Sequence, residues 1–282
     1  MADINAKKVL ITGSGGIIGS YFNFGQRVNK EDLDVTDEKS VFEAFALRKP
    51  EIVIHLAAET DVEKCEKDPV LAWRVNVLGA FIVAKACREF GAKMVYVSTA
   101  VVFSGRGSSH TEADIPFPLS VYGRTKYAAE LAVQDIAPDY LIVRTSWVFG
   151  GGPARDHKFV GKIIGQLRGG VSAIKAVTDQ VGSATFAKDF VERLKLFLEE
   201  NRSGIVHVVN SGQATRYTMA REIVLRMGSS ASVEPVSYED FGLSADRTSS
   251  EVLTSALPPL RPWQDALKEY LENEWLGVNP PL

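Results

Sequence analysis

Four apolar stretches, KKVLITG, EIVIHLAA, AKMVYVSTAVVF and DYLIVRTSWVFG, are separated by segments whose apolar residues recur at helical spacing. None of the four alternates apolar with polar residues, as a strand with one wet face would. A strand that is apolar throughout must be covered on both sides. A helix between consecutive strands supplies that cover and returns the chain to the same end of the sheet. DEKSVFEAFALRK, stopped by Pro50, is one such helix. PVLAWRVNVLGAFIVAKACREFG, opened by Pro69 and closed by Gly91, is a second, and VYGRTKYAAELAVQDI a third. The pattern predicts an α/β fold of the Rossmann type, a doubly wound parallel sheet.

After Gly150 the pattern loosens. GGGPARD reads as a loop, FAKDFVERLKLFLEEN as an amphipathic helix, GIVHVVN as a strand, and LPPLRPW as a proline-rich turn. The expected division is a dinucleotide-type domain over residues 1–150, with later segments at about 171–210 returning to it. A smaller α/β substrate-binding domain then occupies most of 151–282. At 282 residues the chain is long enough for either one large domain or two small ones. A net charge of −3 without a basic cluster argues against a nucleic-acid partner. No apolar run reads as approaching the roughly 18–20 residues of a membrane span, and MADINAKKVLITG enters a strand pattern directly, so neither a span nor a leader is expected. Cys65 and Cys87, with no metal-type or CxxC spacing, read as reduced packing residues of a cytoplasmic protein. His55, His110, His157 and His207 are scattered, so no metal site is expected.

LITGSGGIIGS places Gly13, Gly16 and Gly19 at three-residue spacing, with Ile17 among them, between the first strand and GIIGSYF, which reads as a short helix. Glycines there let backbone N–H groups approach a pyrophosphate, and a helix start adds donors and positive potential. The loop is therefore read as a dinucleotide site. A carboxylate after the second strand would bind a ribose diol, and a cation there would pair with a 2′-phosphate. The second strand is short, roughly QRVN, with Arg27 inside it, Lys30 after it, and Asp32 and Asp34 slightly beyond. That order favours NADP(H), with NAD as the alternative.

The strand ending in Ser98-Thr99 carries hydroxyls where the C-terminal edge of such a sheet lines its cleft. The next helix carries Tyr122 and Lys126 four residues apart, on one face. Hydride reduction of a ketone leaves an alkoxide that needs a proton. A phenol can give it, but its free pKa of about 10 suits neutral pH poorly. A neighbouring ammonium favours the phenolate and lowers that value, and Lys126 is placed to do so and to reach a ribose. Thr99 can donate to the oxygen as charge builds on it.

In this order, TGSGGIIG, HLAAET, STAVVF and YGRTK resemble the extended short-chain dehydrogenase/reductase family. LDVTD, AAETDVEKCEKDP, PLSVYGRTKYAAE, RTSWVFG, VTDQVGSATFAKD, HVVNSGQATRYTMAREI and LRPWQDALKEYL narrow the likeness to the dTDP-4-dehydrorhamnose reductase family, nearly end to end. The resemblance implies an NADP(H)-dependent reduction of a keto sugar nucleotide, with a small-molecule partner and room for a homodimer. It places Asp34 and Val35 by the adenine, Ala57, Ala58 and Thr60 along the cofactor, Trp147 by the sugar, and Arg247 by the diphosphate. The chain departs from the family's Ser-Thr-Asp-Tyr-Val-Phe at Ala100 and Val101. Ala184 replaces a proline, and Asp246-Arg247-Thr248 replaces an arginine–proline stretch. A missing carboxylate removes charge-assisted hydrogen bonds worth about 1.5–3 kcal/mol each, which implies an altered sugar pocket. Two other readings keep the same residues. An epimerase or dehydratase would retain its cofactor and return the hydride, although a dehydratase would want an acidic pair that STAVVF lacks. A regulatory subunit resembling that of methionine adenosyltransferase would bind NADP without turnover.

Overall fold

The computed structural model describes residues 8–242, 244–246 and 248–277. Six parallel strands form one sheet: β1 (Val9–Thr12), β2 (Gln26–Val28), β3 (Ile52–His55), β4 (Lys93–Thr99), β5 (Tyr140–Thr145) and β6 (Gly204–His207). Their spatial order is β6-β5-β4-β3-β1-β2. β1, β3, β4 and β5 are largely apolar because successive side chains enter two different cores, whereas β2, Gln-Arg-Val at the sheet edge, is not. Leu10, Val53, Met94 and Ile142 meet Phe45, Val83, Ala129 and Val133 from α1 (Glu38–Arg48), α2 (Pro69–Phe90) and α3 (Val121–Ile136). On the other face, Ile11, Ile54, Val95 and Val143 meet Phe190, Leu194 and Phe197 of α4 (Ala187–Glu199). Each large apolar side chain buried this way contributes about 1.5–3 kcal/mol.

Three local readings are corrected. The stretch after the glycine loop is not an α-helix but a single 3₁₀ turn, Ile18–Tyr21. Too few residues separate Gly19 from β2 for a helix and its return, and Gly25, at φ +78°, turns the chain straight into β2. The second helix contains a π segment, Trp73–Leu78, between its α-helical parts Pro69–Ala72 and Gly79–Phe90. By length and composition α2 is also long and apolar enough to cross a membrane, despite Arg74, Lys85 and Arg88. Half of its most apolar stretch is buried inside the fold.

The smaller region lies across the C-terminal edge of the sheet. Val181–Gly182 pairs with Ala214–Thr215 and Ser250–Glu251, Val148–Phe149 with Thr185–Phe186, and Ala173–Val177 with Ser232–Val236. Its core gathers Phe149, Ile163, Phe186, Ile223, Trp263 and Tyr270. Within residues 171–210, Ala187–Glu199 and Gly204–His207 serve the large sheet, whereas Ala173–Val177 belongs to the smaller region.

Candidate active site

The order of strands reverses between β1 and β3, and the crevice of a doubly wound sheet opens at such a point. Gly13 sits there at φ +66°, and a Cβ on it would come within 2.5 Å of the Ala57 nitrogen. A Cβ on Gly19 would collide with the Ser14 carbonyl, whereas one on Gly16 would meet nothing nearer than 3.6 Å. Two glycines thus let the loop fold tightly, and the third leaves its surface uncovered. Ile17 leads directly into the 3₁₀ turn. A pyrophosphate fits such a bare backbone surface, although only one turn of helix follows it, so the donors are those of the loop itself.

At the end of β2 the residue joined to this loop is Asn29, which sequence reasoning passed over. The Ser14 hydroxyl donates to Asn29 Oδ1 at 3.0 Å. Lys30, next along, is exposed in a turn, and Arg27 donates back to the Phe22 carbonyl at 3.2 Å. The Asp34 carboxylate accepts from the Thr36 amide (2.9 Å) and hydroxyl (2.8 Å). These hydrogen bonds hold its pKa below the usual carboxylate value, with Lys30 and Arg74 adding to the effect. Val35 is buried, 3.0 Å from where a Cβ on Gly79 would stand. Ala57 and Ala58 are half-buried at the end of β3, and Thr60 is exposed, with its hydroxyl accepting from Lys158 Nζ at 3.2 Å. Among the described residues no group of three or more His, Cys, Asp or Glu could hold a metal ion.

The proton-transfer candidates converge on the end of β4. Ser120 caps α3 by accepting from the Gly123 amide. Gly123 lies so close to the Val101 carbonyl that any Cβ there would collide with it. The helix start can therefore settle on the turn Ala100–Val102, and Tyr122 packs with Val101. Thr99 Oγ1 accepts from the Val101 amide at 3.2 Å. Lys126, one turn past Tyr122, is buried, and its Nζ donates to the Val97 carbonyl at 2.8 Å. Burial pulls the Lys126 pKa down to about 7, against a smaller upward pull from Glu130. Asn76, turned inward by the π segment of α2, donates to Thr125 Oγ1 (3.0 Å) and the Glu59 carbonyl (3.1 Å) and accepts from the Glu59 amide (2.8 Å). It ties α3 to the end of β3. An asparagine in an apolar helix was the only signal for it in the sequence.

Beneath these groups runs a buried polar row. Thr12 Oγ1 and His55 Nδ1 are 2.8 Å apart, His55 stacks on Tyr96, and Glu130 forms a two-pronged ion pair with Arg144 at 2.9 and 2.7 Å. Burial, with a smaller push from Lys126, takes the His55 pKa down to about 3, so the ring is neutral.

The sugar-side candidates are arranged differently. Trp147 has φ +39°, rare for an aromatic residue and the kind of strain that collects at functional sites. Its indole rests directly against Gly182, where a Cβ would collide with it. The Arg216 guanidinium lies 3.7 Å from the ring centroid, and Nε1 donates to Glu251 at 3.1 Å. A sugar stacking on this indole has to displace Arg216 or use the ring's edge. Ala100 is fully buried with Val102, Phe103 and Leu253. Arg247 lies outside the described residues.

The family described as RmlD substrate binding domain matches residues 7–275. The chain belongs to the dTDP-4-dehydrorhamnose reductase family. It is 35% identical to a dTDP-4-dehydrorhamnose reductase of Mycolicibacterium smegmatis, over 95% of this chain and 86% of that protein. It is 34% identical to the spore coat polysaccharide biosynthesis protein SpsK of Bacillus subtilis, over 94% and 97%. A crystal structure of the Bacillus anthracis dTDP-4-dehydrorhamnose reductase in complex with NADP superposes with a TM-score of 0.89 at 31% identity, covering 94% of this chain and 98% of that one. The doubly wound sheet is shared with that solved structure.

Proposed function

We propose that the chain is an NADP(H)-dependent reductase of a keto group on a sugar nucleotide, related in substrate to dTDP-4-dehydrorhamnose. One juxtaposition carries the reading: Gly123 brings the start of α3 onto the Val101 carbonyl, so Tyr122, Lys126 and Thr99 share the end of one strand. The loop around Gly13, Gly16 and Gly19 would hold the pyrophosphate. Asn29, with Lys30 beyond it, would meet the adenosine ribose, and Asp34 and Val35 would flank the adenine. Ala57, Ala58 and Thr60 would line the path past β3. A nicotinamide, when bound, supplies the hydride. The Tyr122 phenol gives the proton that completes the C–OH group, and the Lys126 ammonium stabilises the phenolate left behind and reaches the ribose. Thr99 accepts through Oγ1 from Val101, which leaves its hydroxyl proton to donate to the substrate oxygen.

Residues 1–150 form the cofactor half in this reading, and 151–282 supply most of the substrate half, with Trp147 and Arg247 on its side. No carboxylate reaches the sugar from position 100, whose side chain is enclosed by Leu253 and Phe103. The favoured substrate therefore differs in hydroxyl pattern from one that needs a carboxylate there. Two buried free thiols suit a reducing compartment, and we place the reaction in the cytoplasm.

The test is a panel of 4-keto sugar nucleotides with NADPH and NADH, followed by nicotinamide absorbance. At least one should be turned over with net cofactor oxidation, and Tyr122→Phe should lower kcat by roughly 10²–10⁴-fold. Equal turnover in the phenylalanine variant overturns the assignment. Turnover with no net oxidation identifies an epimerase. A stoichiometric partner enzyme with no turnover of any keto sugar identifies a regulatory subunit.

A further inference from the structure

We propose that Tyr96 is a positioning residue for Lys126, whose ammonium rests on the Tyr96 ring and is kept charged at the end of β4. The consequence for catalysis rests on the reductase reading; the geometry does not.

Lys126 Nζ stands 4.1 Å from the centroid of the Tyr96 ring and donates to the carbonyl of Val97, the next residue. Two consecutive residues of one strand therefore hold the ammonium from two directions. An ammonium brought out of water needs such replacement partners, because desolvation penalises the charged form. The charged and titratable groups around it are few. Tyr122 and Glu130 lie on its own helix, one turn to either side. Tyr96 and His55 face it from β4 and β3. Arg144, on β5, takes both carboxylate oxygens of Glu130. The nearest carboxylate is thus already committed to a guanidinium, and His55 is neutral. Beside the Val97 carbonyl and the smaller pull of Glu130, the negative face of the aromatic ring is a further attraction, and it strengthens when water is excluded.

The ring is itself fixed. His55 stacks on it with centroids 5.9 Å apart at 22°, and Thr12 holds His55 through Nδ1 at 2.8 Å. The Tyr96 hydroxyl is buried without a hydrogen-bond partner among the described residues. The ring face, not the hydroxyl, is therefore the working part. Thr12 directly precedes Gly13, so this line of contacts runs from the foot of the cofactor loop to the lysine.

The experiment replaces Tyr96 in the full-length protein with phenylalanine, then difluoro- and trifluorophenylalanine, which keep the ring's shape while weakening its negative face. Lys126 is titrated directly by NMR of lysine labelled at Cε and Nζ, its signal assigned by its loss in Lys126→Met. Tyr96→Phe should leave the midpoint in place. Fluorination should lower it stepwise, by up to roughly one pH unit. In the reductase assay the limb of kcat that falls with rising pH should move down by the same steps. An unmoved midpoint across the series overturns the proposal, as does a phenylalanine variant shifted as far as the trifluoro one. A stepwise titration in a protein that turns over no keto sugar supports the placement of Lys126 and defeats the reductase reading instead.

Discussion

Strand β4 runs for seven residues and is paired on both sides, whereas Val181–Gly182, at the centre of the smaller region, is two residues long. In the large sheet the backbone ladder does the joining, and the side chains are free to fill two apolar cores. Around the smaller region polar side chains do much of it, several of them reaching α4 and β5 of the large half. Asn210 donates to Asp189 at 2.7 Å and to the Arg261 carbonyl at 3.1 Å, Arg261 grips Asp189, and Thr145 meets Thr185 at 3.1 Å. A ladder constrains every residue along it. Side-chain links constrain only the residues that make them, and the loops between can differ. The half that would hold an invariant cofactor is built the first way, and the half that would choose a sugar is built the second.

The polar groups within the large half sharpen the contrast, because they are sealed in. Arg144 and Glu130 are almost fully buried, and Arg144 spends both Nε and Nη2 on that carboxylate. Glu130→Gln leaves a guanidinium without a counter-charge in a dry site. It should cost about 3–5 kcal/mol, the range for breaking a buried pair from one side. Urea denaturation measures it, and the midpoint should fall without a change in slope. The variant should also lower the Lys126 midpoint, since the Glu130 carboxylate is one of the groups that favour the ammonium.

Lys126→Met should do the opposite. The folded-state pKa of Lys126 is about 7, below its unfolded value of about 10.4. The unfolded chain therefore binds more protons between those values, and wild-type stability rises with pH across that window. Below pH 7 the buried charge carries its full cost. Methionine removes that cost but strands the Val97 carbonyl, for a net gain of roughly 1–3 kcal/mol at pH 6. The gain should shrink between pH 7 and 10 while turnover is lost at every pH. Thermal unfolding of both proteins across that range checks it. A lysine variant no more stable than wild type at pH 6 means that the ammonium is better solvated than its burial indicates.

These magnitudes also explain which parts were legible in the sequence. The strands β1, β3, β4 and β5 and the helices α1 and α3 follow from apolar spacing, because both sheet faces are buried and the period is local. Tyr122 and Lys126 are legible as an i, i+4 pair. Asn29, Asn76, Tyr96 and Gly123 are not. What makes each of them matter is a residue brought opposite by the fold: Ser14, Glu59, Lys126 and Val101 respectively. The 3₁₀ turn is also held by a contact of this kind. Tyr21 is tied there to Glu274 at 2.5 Å, a contact across 253 residues that no window of sequence contains. In the smaller region almost every joining contact is of this long-range kind, so AIKAVTDQ reads as a strand, Ala173–Val177, while its pairing with Ser232–Val236 does not.

The smallest effect tests the comparison most directly. Arg261, on the short strand Leu260–Pro262, donates to Asp189 through Nε (2.8 Å) and Nη2 (2.7 Å) and also pairs with Glu269. On contact geometry alone it looks as important as Arg144. Its side chain, however, is 34% exposed, and neither carboxylate depends on it. Asp189 keeps the Asn210 amide, and Glu269 keeps Lys188. Arg261→Ala should therefore cost only about 1–2 kcal/mol, a partly screened pair with its partners re-satisfied. The loss should be local: amide exchange should quicken in Trp263–Leu271 and around Asn210 while β4 keeps its protection. If Arg261→Ala cost as much as Glu130→Gln and opened β4 as well, the two regions would be one cooperative unit. The link through Arg261 would then be as structural as the ladder, and the freedom to vary assigned to the smaller region would be lost.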